Sequence, residues 1–215
     1  MQVKKILYTI LCLSVIYGCE EKNPVVDMPH IYNLYPNVDL GLSVRWGEYN
    51  LGADNYWEYG DYYAWGETSP RDDFDYSPPN PGTIIYHDPA TEQIGSGWHL
   101  PTKEQWEELL ANCDLSYVKN WDAYSGRVCA KLTSRVKGYE GASIYFSLPG
   151  YIRKNKATYG AEDIGYYWSC SSESEGCAHI AKFSYYRGVT GQMSSSFSTN
   201  TKSNCGISAR PVADK

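Results

Sequence analysis

Residues 97–109 read GWHLPTKEQWEEL, and they carry the strongest structural signal in the chain. Thr102 and Gln105 have the spacing of a capping box, in which each side chain accepts a hydrogen bond from the other residue's backbone N–H. An apolar stripe follows at helical spacing and comprises Trp106, Leu109, Leu110 and Cys113. The pattern predicts a helix over about residues 102–113 that packs one face against a core.

Strand patterns lie on both sides of this helix. Residues 38–46 and 142–148 alternate apolar and other side chains, as half-buried strands do. Residues 178–186 and 206–212 also favour strands. Residues 69–92 contain five of the eleven prolines and predict a long irregular loop. This order predicts an α+β fold that combines one antiparallel sheet, one clear helix and long irregular loops.

The overall composition is that of one folded domain, with 42% hydrophobic and 20% charged residues. There are 19 basic and 25 acidic residues, which gives a net charge of −6. Because an acidic surface repels phosphate, nucleic acid is not expected as a partner. The chain has 21 tyrosines and seven tryptophans but only four phenylalanines, a bias that suits half-buried sheets and hydrated binding surfaces.

The N-terminus has the pattern of an export signal. Lys4 and Lys5 precede Ile6–Tyr17, an apolar run without charge. The run is too short to span a bilayer and fits the core of a signal peptide. Residues 16–19 read Ile-Tyr-Gly-Cys, which resembles the bacterial lipobox. Cys19 is therefore the predicted lipidation site.

These signals predict the location of the protein and the organisation of its first residues. We expect a lipoprotein signal peptide over residues 1–18 and a lipidated tether over residues 19–36, which contain three prolines. The expected location is the outer membrane or the cell surface, with membrane contact through the lipid anchor only. An ordinary secretory signal with an unmodified Cys19 is the alternative.

Five cysteines follow the tether, and an exported chain meets an oxidising compartment in which they can pair. Cys170 and Cys177 bracket a Ser/Glu/Gly loop between two strand-like runs, so they are the predicted disulfide. Cys113 with Cys129 is a weaker pairing. The remaining alternative is that all five thiols are reduced and buried.

Several strings occur together in chain order. They read VDLGLSVRW at 38–46, NLGA at 50–53, YGDYYAWGE at 59–67, GWHLPTKEQWEEL at 97–109, LPGY at 148–151, GYYWS at 165–169 and ARPV at 209–212. Together they resemble the Fibrobacter succinogenes major paralogous domain, and the resemblance covers residues 37–213. It implies a C-type-lectin-like fold, distantly related to that of the formylglycine-generating enzymes, on a secreted or surface protein of Bacteroidota.

The same resemblance implies which tryptophans fill the core and which catalytic groups are missing. Five tryptophans fall in the shared strings and are expected to be buried: Trp46, Trp65, Trp98, Trp106 and Trp168. Formylglycine-generating enzymes carry a catalytic cysteine pair in a region that resembles residues 191–201, and this region contains no cysteine here. No catalytic residue and no cofactor is therefore predicted.

Metal binding is not predicted either. The calcium-binding strings of sugar-binding C-type lectins are absent, and residues 120–122 hold only a scrambled Asn-Trp-Asp. A calcium ion needs six to eight converging oxygens. Asp72, Asp73 and Asp75 could ligate one, and this is the alternative to a solvated run of charges.

Aromatic side chains outside the shared strings are the candidate ligand contacts, because they are free to face solvent and to stack on sugar rings. They are Tyr56, Trp57, Trp121, Tyr124, Tyr185 and Tyr186, and glycan contact is predicted for the last five. Packing inside the domain is the alternative for each ring.

The expected function is non-catalytic: a cell-surface lipoprotein whose lectin-like domain binds a glycan or another surface protein. The alternatives are a degenerate enzyme of the formylglycine-generating or hydrolase kind, and a structural component of a surface adhesin. Fold resemblance alone does not choose among these three classes.

Replacing Cys19 with Ala tests the anchor. The variant should leave the membrane fraction, because the diacylglyceryl group has no thiol to join and one apolar signal segment of this length does not span a bilayer. Membrane fractionation with and without detergent measures the change. A Cys12→Ala variant is the matched control and should remain with the membrane. Retention of Cys19→Ala in the membrane fraction would show that the lipoprotein interpretation is wrong.

Overall fold

A computed structural model describes residues 35–74, 86–119, 126–153, 158–174, 177–185, 193–201 and 205–215. The described residues belong to one compact unit of the α+β class, built mostly from antiparallel strands with two helices. Among them, no helix has the length and apolar character needed to cross a membrane.

The first half of the unit consists of short elements. They are β1 (Asn37–Val38), β2 (Arg45–Gly47), β3 (Tyr62–Tyr63), α1 (Pro89–Ile94), β4 (Trp98–His99) and α2 (Lys103–Asn112). Longer strands follow: β5 (Cys113–Lys119), β6 (Val128–Ser134), β7 (Ser143–Ser147), β8 (Tyr151–Ile152), β9 (Thr158–Tyr159), β10 (Ile164–Ser174), β11 (Cys177–Tyr185), β12 (Met193–Thr201), β13 (Ile207–Ser208) and β14 (Val212–Ala213).

The strands form several sheets rather than the single sheet expected from the sequence. A four-stranded sheet has the order β1-β2-β14-β4, and a five-stranded sheet has the order β12-β11-β10-β13-β3. Strands β5, β6 and β7 form a third sheet, and β8 pairs with β9. The pairing is antiparallel except between β10 and β13, which meet in parallel at Tyr167 and Ser208.

The helix α2 forms as its sequence predicts. Thr102 Oγ1 accepts from the Gln105 N–H at 3.2 Å, and Gln105 Oε1 accepts from the Thr102 N–H at 2.8 Å, so the capping box is complete. Trp106 and Leu109 are fully buried on the apolar face. The helix ends at Asn112, because Cys113 already has an extended backbone and begins β5.

The core confirms the expected burial of the five tryptophans, since Trp46, Trp65, Trp98, Trp106 and Trp168 are each at most 5% exposed. Trp46 and Trp106 lie at the centre of one hydrophobic cluster, with ring centroids 4.8 Å apart. Trp65, Trp98 and Trp168 belong to a second cluster. Three of the buried rings also donate to backbone: Trp65 Nε1 to Ser169 O and Trp168 Nε1 to Tyr63 O, each at 2.8 Å, and Trp106 Nε1 to Trp168 O at 3.4 Å.

The prediction of an irregular loop over residues 69–92 missed the helix α1. Asp88 is its N-cap and accepts from the Ala90 and Thr91 N–H groups, and Pro89 occupies the first turn. Both residues are helix-start signals, because an aspartate cap satisfies free N–H groups and proline has no N–H to lose. Residues 75–85 of this segment lie outside the described part.

The predicted disulfide between Cys170 and Cys177 is not present, and Cys170 is a free thiol. The strand β10 runs further than expected, so the backbone of Cys177 pairs with Ser174 rather than with Cys170. Cys170 lies four positions before Ser174 in the strand, which places their Cα atoms about 13 Å apart at ordinary strand rise. A disulfide needs Cα atoms within about 7 Å, so this register excludes the bond. Cys113 and Cys129 are also free and buried.

The cap and the core face of α2 differ in what they contribute to stability. Replacing Thr102 with Ala removes one capping bond and should lower the free energy of unfolding by about 1 kcal/mol. Replacing Trp106 with Ala leaves a large cavity and should lower it by about 3–5 kcal/mol. Chemical denaturation measures both losses. Small and equal losses would contradict the buried position of Trp106.

Candidate ligand-binding pocket

The predicted contact rings do not form one surface in the described structure. Trp57 and Tyr185 are both half-buried. Tyr185 packs against Tyr117 with ring centroids 5.2 Å apart and belongs to the rim of the first hydrophobic cluster. Trp121, Tyr124 and Tyr186 lie outside the described residues.

Trp57 is part of a different aromatic group, in which Tyr56 is the central ring. The Trp57 ring meets Tyr56 edge to face, with centroids 4.8 Å apart and an interplanar angle of 86°. On its other side Tyr56 packs on Tyr145, with centroids 4.7 Å apart and an angle of 37°. Such pairs add to the stability gained from burial alone, so each neighbour holds the Tyr56 ring in place.

Beside Tyr56 and Tyr145 the surface has a pocket of about 190 Å³, which we call the tyrosine pocket. It is formed where β1, the segment after β2, the Tyr56 turn and the strand β7 come together. Its lining consists of Val38, Glu48, Tyr49, Tyr56, Ser143, Ile144 and Tyr145. Three tyrosines, one carboxylate and one hydroxyl therefore surround a small apolar floor.

The turn that carries Tyr56 and Trp57 is closed by the Glu58 carboxylate. Its oxygens accept from the Asp54 N–H at 2.8 Å and from Asn55 Nδ2 at 3.2 Å. The bond from Asp54 is the largest of the effects that together lower the pKa of Glu58 below its ordinary value. The two rings are thus presented by a turn whose backbone is fixed by a charged hydrogen-bond acceptor.

A buried arginine joins the two walls of the tyrosine pocket. Arg210 Nη1 donates to the Gly47 and Glu48 carbonyls, both at 2.8 Å, and Nη2 donates to the Tyr145 carbonyl at 2.9 Å. Nε donates to Asn50 Oδ1 at 2.9 Å. The guanidinium therefore fixes the segment that carries Glu48 and Tyr49 against the strand that carries Tyr145.

Asn50 extends this network to the turn below the aromatic group. Its Nδ2 donates to the Tyr59 carbonyl at 3.0 Å and to Ser147 Oγ at 3.1 Å. Ser147 Oγ in turn donates to the Glu58 carbonyl at 2.9 Å. All three contacts are long-range or span a loop, so the tyrosine pocket is formed only when the whole domain is folded.

The charge in the tyrosine pocket is negative. Glu48 is half-buried at the rim, beside Tyr49. Burial and then the Glu48 charge and hydrogen bond raise the pKa of Tyr49, so its hydroxyl keeps its proton at neutral pH. A bound molecule would therefore meet an acceptor carboxylate and tyrosine hydroxyls, a combination that suits neutral hydroxyl groups.

Thiol and metal chemistry have little support in the described residues. Burial raises the pKa of Cys113, Cys129, Cys170 and Cys205 to about 11, so these thiols are weak nucleophiles at neutral pH. No group of three or more His, Cys, Asp or Glu side chains in the described ranges could hold a metal ion. Asp72 and Asp73 are included in that search, whereas Asp75 lies outside it.

Comparisons of the chain with protein-family models, with curated proteins and with solved structures find no match.

Replacing Arg210 with Met tests the guanidinium network. The variant keeps the volume but leaves three buried carbonyls and Asn50 without their donor. We expect the free energy of unfolding to fall by about 3–5 kcal/mol, because each orphaned buried acceptor costs about 1–3 kcal/mol and relaxation recovers part of it. Arg45→Met is the control: its side chain is 47% exposed, and its loss should stay below about 1 kcal/mol. Equal losses in a denaturant titration would refute the network's role.

Proposed function

We propose that the chain is a lipid-anchored outer-membrane or cell-surface protein whose domain has a C-type-lectin-like fold and binds a glycan without catalysis. The observation that carries the proposal is the tyrosine pocket, in which aromatic rings, a carboxylate and a hydroxyl surround a concave surface. Two observations support the lectin-like fold: the complete capping box of α2, and the burial of all five tryptophans that fall in the shared sequence strings.

The size of the tyrosine pocket favours a glycan over a protein surface. Its volume of about 190 Å³ lies below the range of roughly 300–1,000 Å³ that is common for drug-sized ligands. A single sugar ring is small, rigid and amphipathic, so it can place a C–H face on a tyrosine and its hydroxyls on Glu48. A protein partner instead uses a broad, flat interface of about 800 Å² on each side.

In the proposed site, the half-buried Trp57 supports the neighbouring Tyr56 ring and does not contact the ligand. Its ring meets Tyr56 edge to face, and Trp57 does not line the tyrosine pocket. Tyr185 lies at the rim of the first hydrophobic cluster and likewise does not line it. The binding surface therefore consists mainly of Tyr49, Tyr56 and Tyr145, and Trp57 fixes the orientation of the central ring.

Alanine variants at the aromatic positions test the proposal. A glycan array identifies the sugar, and NMR titration measures the affinity, which should be on the order of mM to high μM for one stacked ring. Tyr56→Ala should weaken binding about tenfold or more, and Trp57→Ala about threefold, because one loses the contact and the other loses its support. Chelation with EDTA should leave binding unchanged, since no metal site takes part.

Tyr185→Ala is the matched control, because it removes another half-buried aromatic ring away from the tyrosine pocket. It should bind as tightly as the unmodified protein. Binding that survives Tyr56→Ala, or that disappears with EDTA, would refute this assignment. Absence of any binding across the array and in the titration would refute the glycan proposal itself.

A further inference from the structure

The strand β7 is the last strand of its sheet, and one of its edges faces the tyrosine pocket. Among the described strands it pairs with β6 alone, in a register that sets Ala130 opposite Phe146 and Lys131 opposite Tyr145. Just beyond the ladder, the Ser134 N–H donates to the Ala142 carbonyl at 2.8 Å. Hydrogen-bonded pairs alternate along an antiparallel ladder. Residues 142, 144 and 146 therefore bond to β6, whereas residues 143, 145 and 147 direct their backbone groups away from it.

Two of these outward backbone groups have partners inside the protein, which confirms the alternation. The Tyr145 carbonyl accepts from Arg210 Nη2 at 2.9 Å, and the Ser147 carbonyl accepts from the Tyr167 hydroxyl at 2.7 Å. The Tyr145 N–H points to the same edge and donates to no described residue. The Ser143 carbonyl also faces this edge and accepts from none of the described donors.

Ser143 and Tyr145 both line the tyrosine pocket, and the edge that they share carries an outward backbone donor at Tyr145 and an outward backbone acceptor at Ser143. A peptide strand cannot use this edge beyond Tyr145. Strand addition needs the carbonyls as well as the N–H groups, and Arg210 and Tyr167 already occupy the carbonyls of Tyr145 and Ser147. The Tyr145 N–H, which has no partner among the described residues, can serve one acceptor on a compact ligand.

The chemistry of that acceptor follows from the charge around it. An anionic group would meet the Glu48 carboxylate in the same pocket and a protein of net charge −6, so a carboxylate or sulfate ligand is disfavoured. A neutral carbonyl oxygen can accept from the Tyr145 N–H without this repulsion. Val38, which is half-buried, provides apolar surface for a methyl group beside it.

We infer that the tyrosine pocket binds a neutral N-acetylated sugar, whose acetamido carbonyl accepts a hydrogen bond from the Tyr145 N–H. The sugar hydroxyls donate to the Glu48 carboxylate and the Ser143 carbonyl, and the methyl group lies on Val38. This inference rests on the proposed glycan-binding function and adds the class of sugar.

The first experiment is an NMR titration of the ¹⁵N-labelled protein with N-acetylglucosamine and, in parallel, with glucose, which lacks the acetamido group. N-acetylglucosamine should bind about fivefold more tightly, the effect of one neutral hydrogen bond. The Tyr145 amide proton should move downfield with N-acetylglucosamine and much less with glucose. Equal affinities, or an unmoved Tyr145 amide, would overturn the inference.

The second experiment compares Tyr145→Ala with Tyr145→Pro. Both variants lose the ring, but only proline removes the backbone donor, and an edge strand tolerates proline where the N–H faces outward. The fivefold preference for N-acetylglucosamine should persist in Tyr145→Ala and disappear in Tyr145→Pro. A preference that survives in a folded Tyr145→Pro protein would overturn the inference. If Tyr145→Pro does not fold, the amide shift in the unmodified protein decides.

The outcomes separate this inference from the proposed function. Equal binding of both sugars, abolished by Tyr56→Ala, would keep the glycan-binding function and remove the N-acetyl specificity. Binding of neither sugar up to about 20 mM, well above the expected mM dissociation constant, would refute both. Stronger binding of glucuronic acid than of N-acetylglucosamine would overturn the inferred ligand charge.

Discussion

The guanidinium of Arg210 is the interaction on which the rest of the domain depends. It is fully buried, lies 4.4 Å from the centre of the Phe146 ring and forms no ion pair with a carboxylate of the described residues. Its charge is instead compensated by three backbone carbonyls and the Asn50 amide. Burial lowers the pKa of Arg210, but the guanidinium group of an arginine stays protonated in proteins at neutral pH. Removing the guanidinium would leave the carbonyls of Gly47, Glu48 and Tyr145 without this donor at the same time, although these residues lie in distant segments.

This arrangement also explains why the domain has a pocket at that place. An edge strand such as β7 exposes backbone groups that promote unwanted pairing with other chains. Arg210 and Tyr167 occupy two of the outward carbonyls of β7, so the edge is blocked without a further strand. A neighbouring strand would have filled the space next to Tyr145. Because side chains take over the pairing, a small concave space with polar backbone remains.

Local patterns predicted the elements that depend on neighbouring residues, and they failed where distant contacts decide. The capping box at Thr102 and the buried face of β7 follow from spacing alone. Leu40, Leu42, Val44 and Trp46 are all buried, as their alternation predicts, although bends replace strand between Val38 and Arg45. The prediction of a Cys170–Cys177 disulfide was wrong because β10 continues to Ser174, and its length is set by pairing with β11 across the sheet. The pocket was missed because Tyr145 is far in sequence from Tyr49 and Tyr56. The outward position of Tyr145 between Ile144 and Phe146 was the available signal.

The position of β14 has a consequence for the timing of folding. This strand lies inside the four-stranded sheet, hydrogen-bonded to β2 on one side and β4 on the other, and Arg210 lies two residues before it. Its partners in β2 were synthesised more than 160 residues earlier, as the Arg210–Gly47 separation of 163 shows. A pairing between segments so far apart in the chain forms slowly, because the closure entropy is lost before the contacts form. During synthesis the place between β2 and β4 therefore stays vacant until residues 210–213 have emerged, and this sheet closes last.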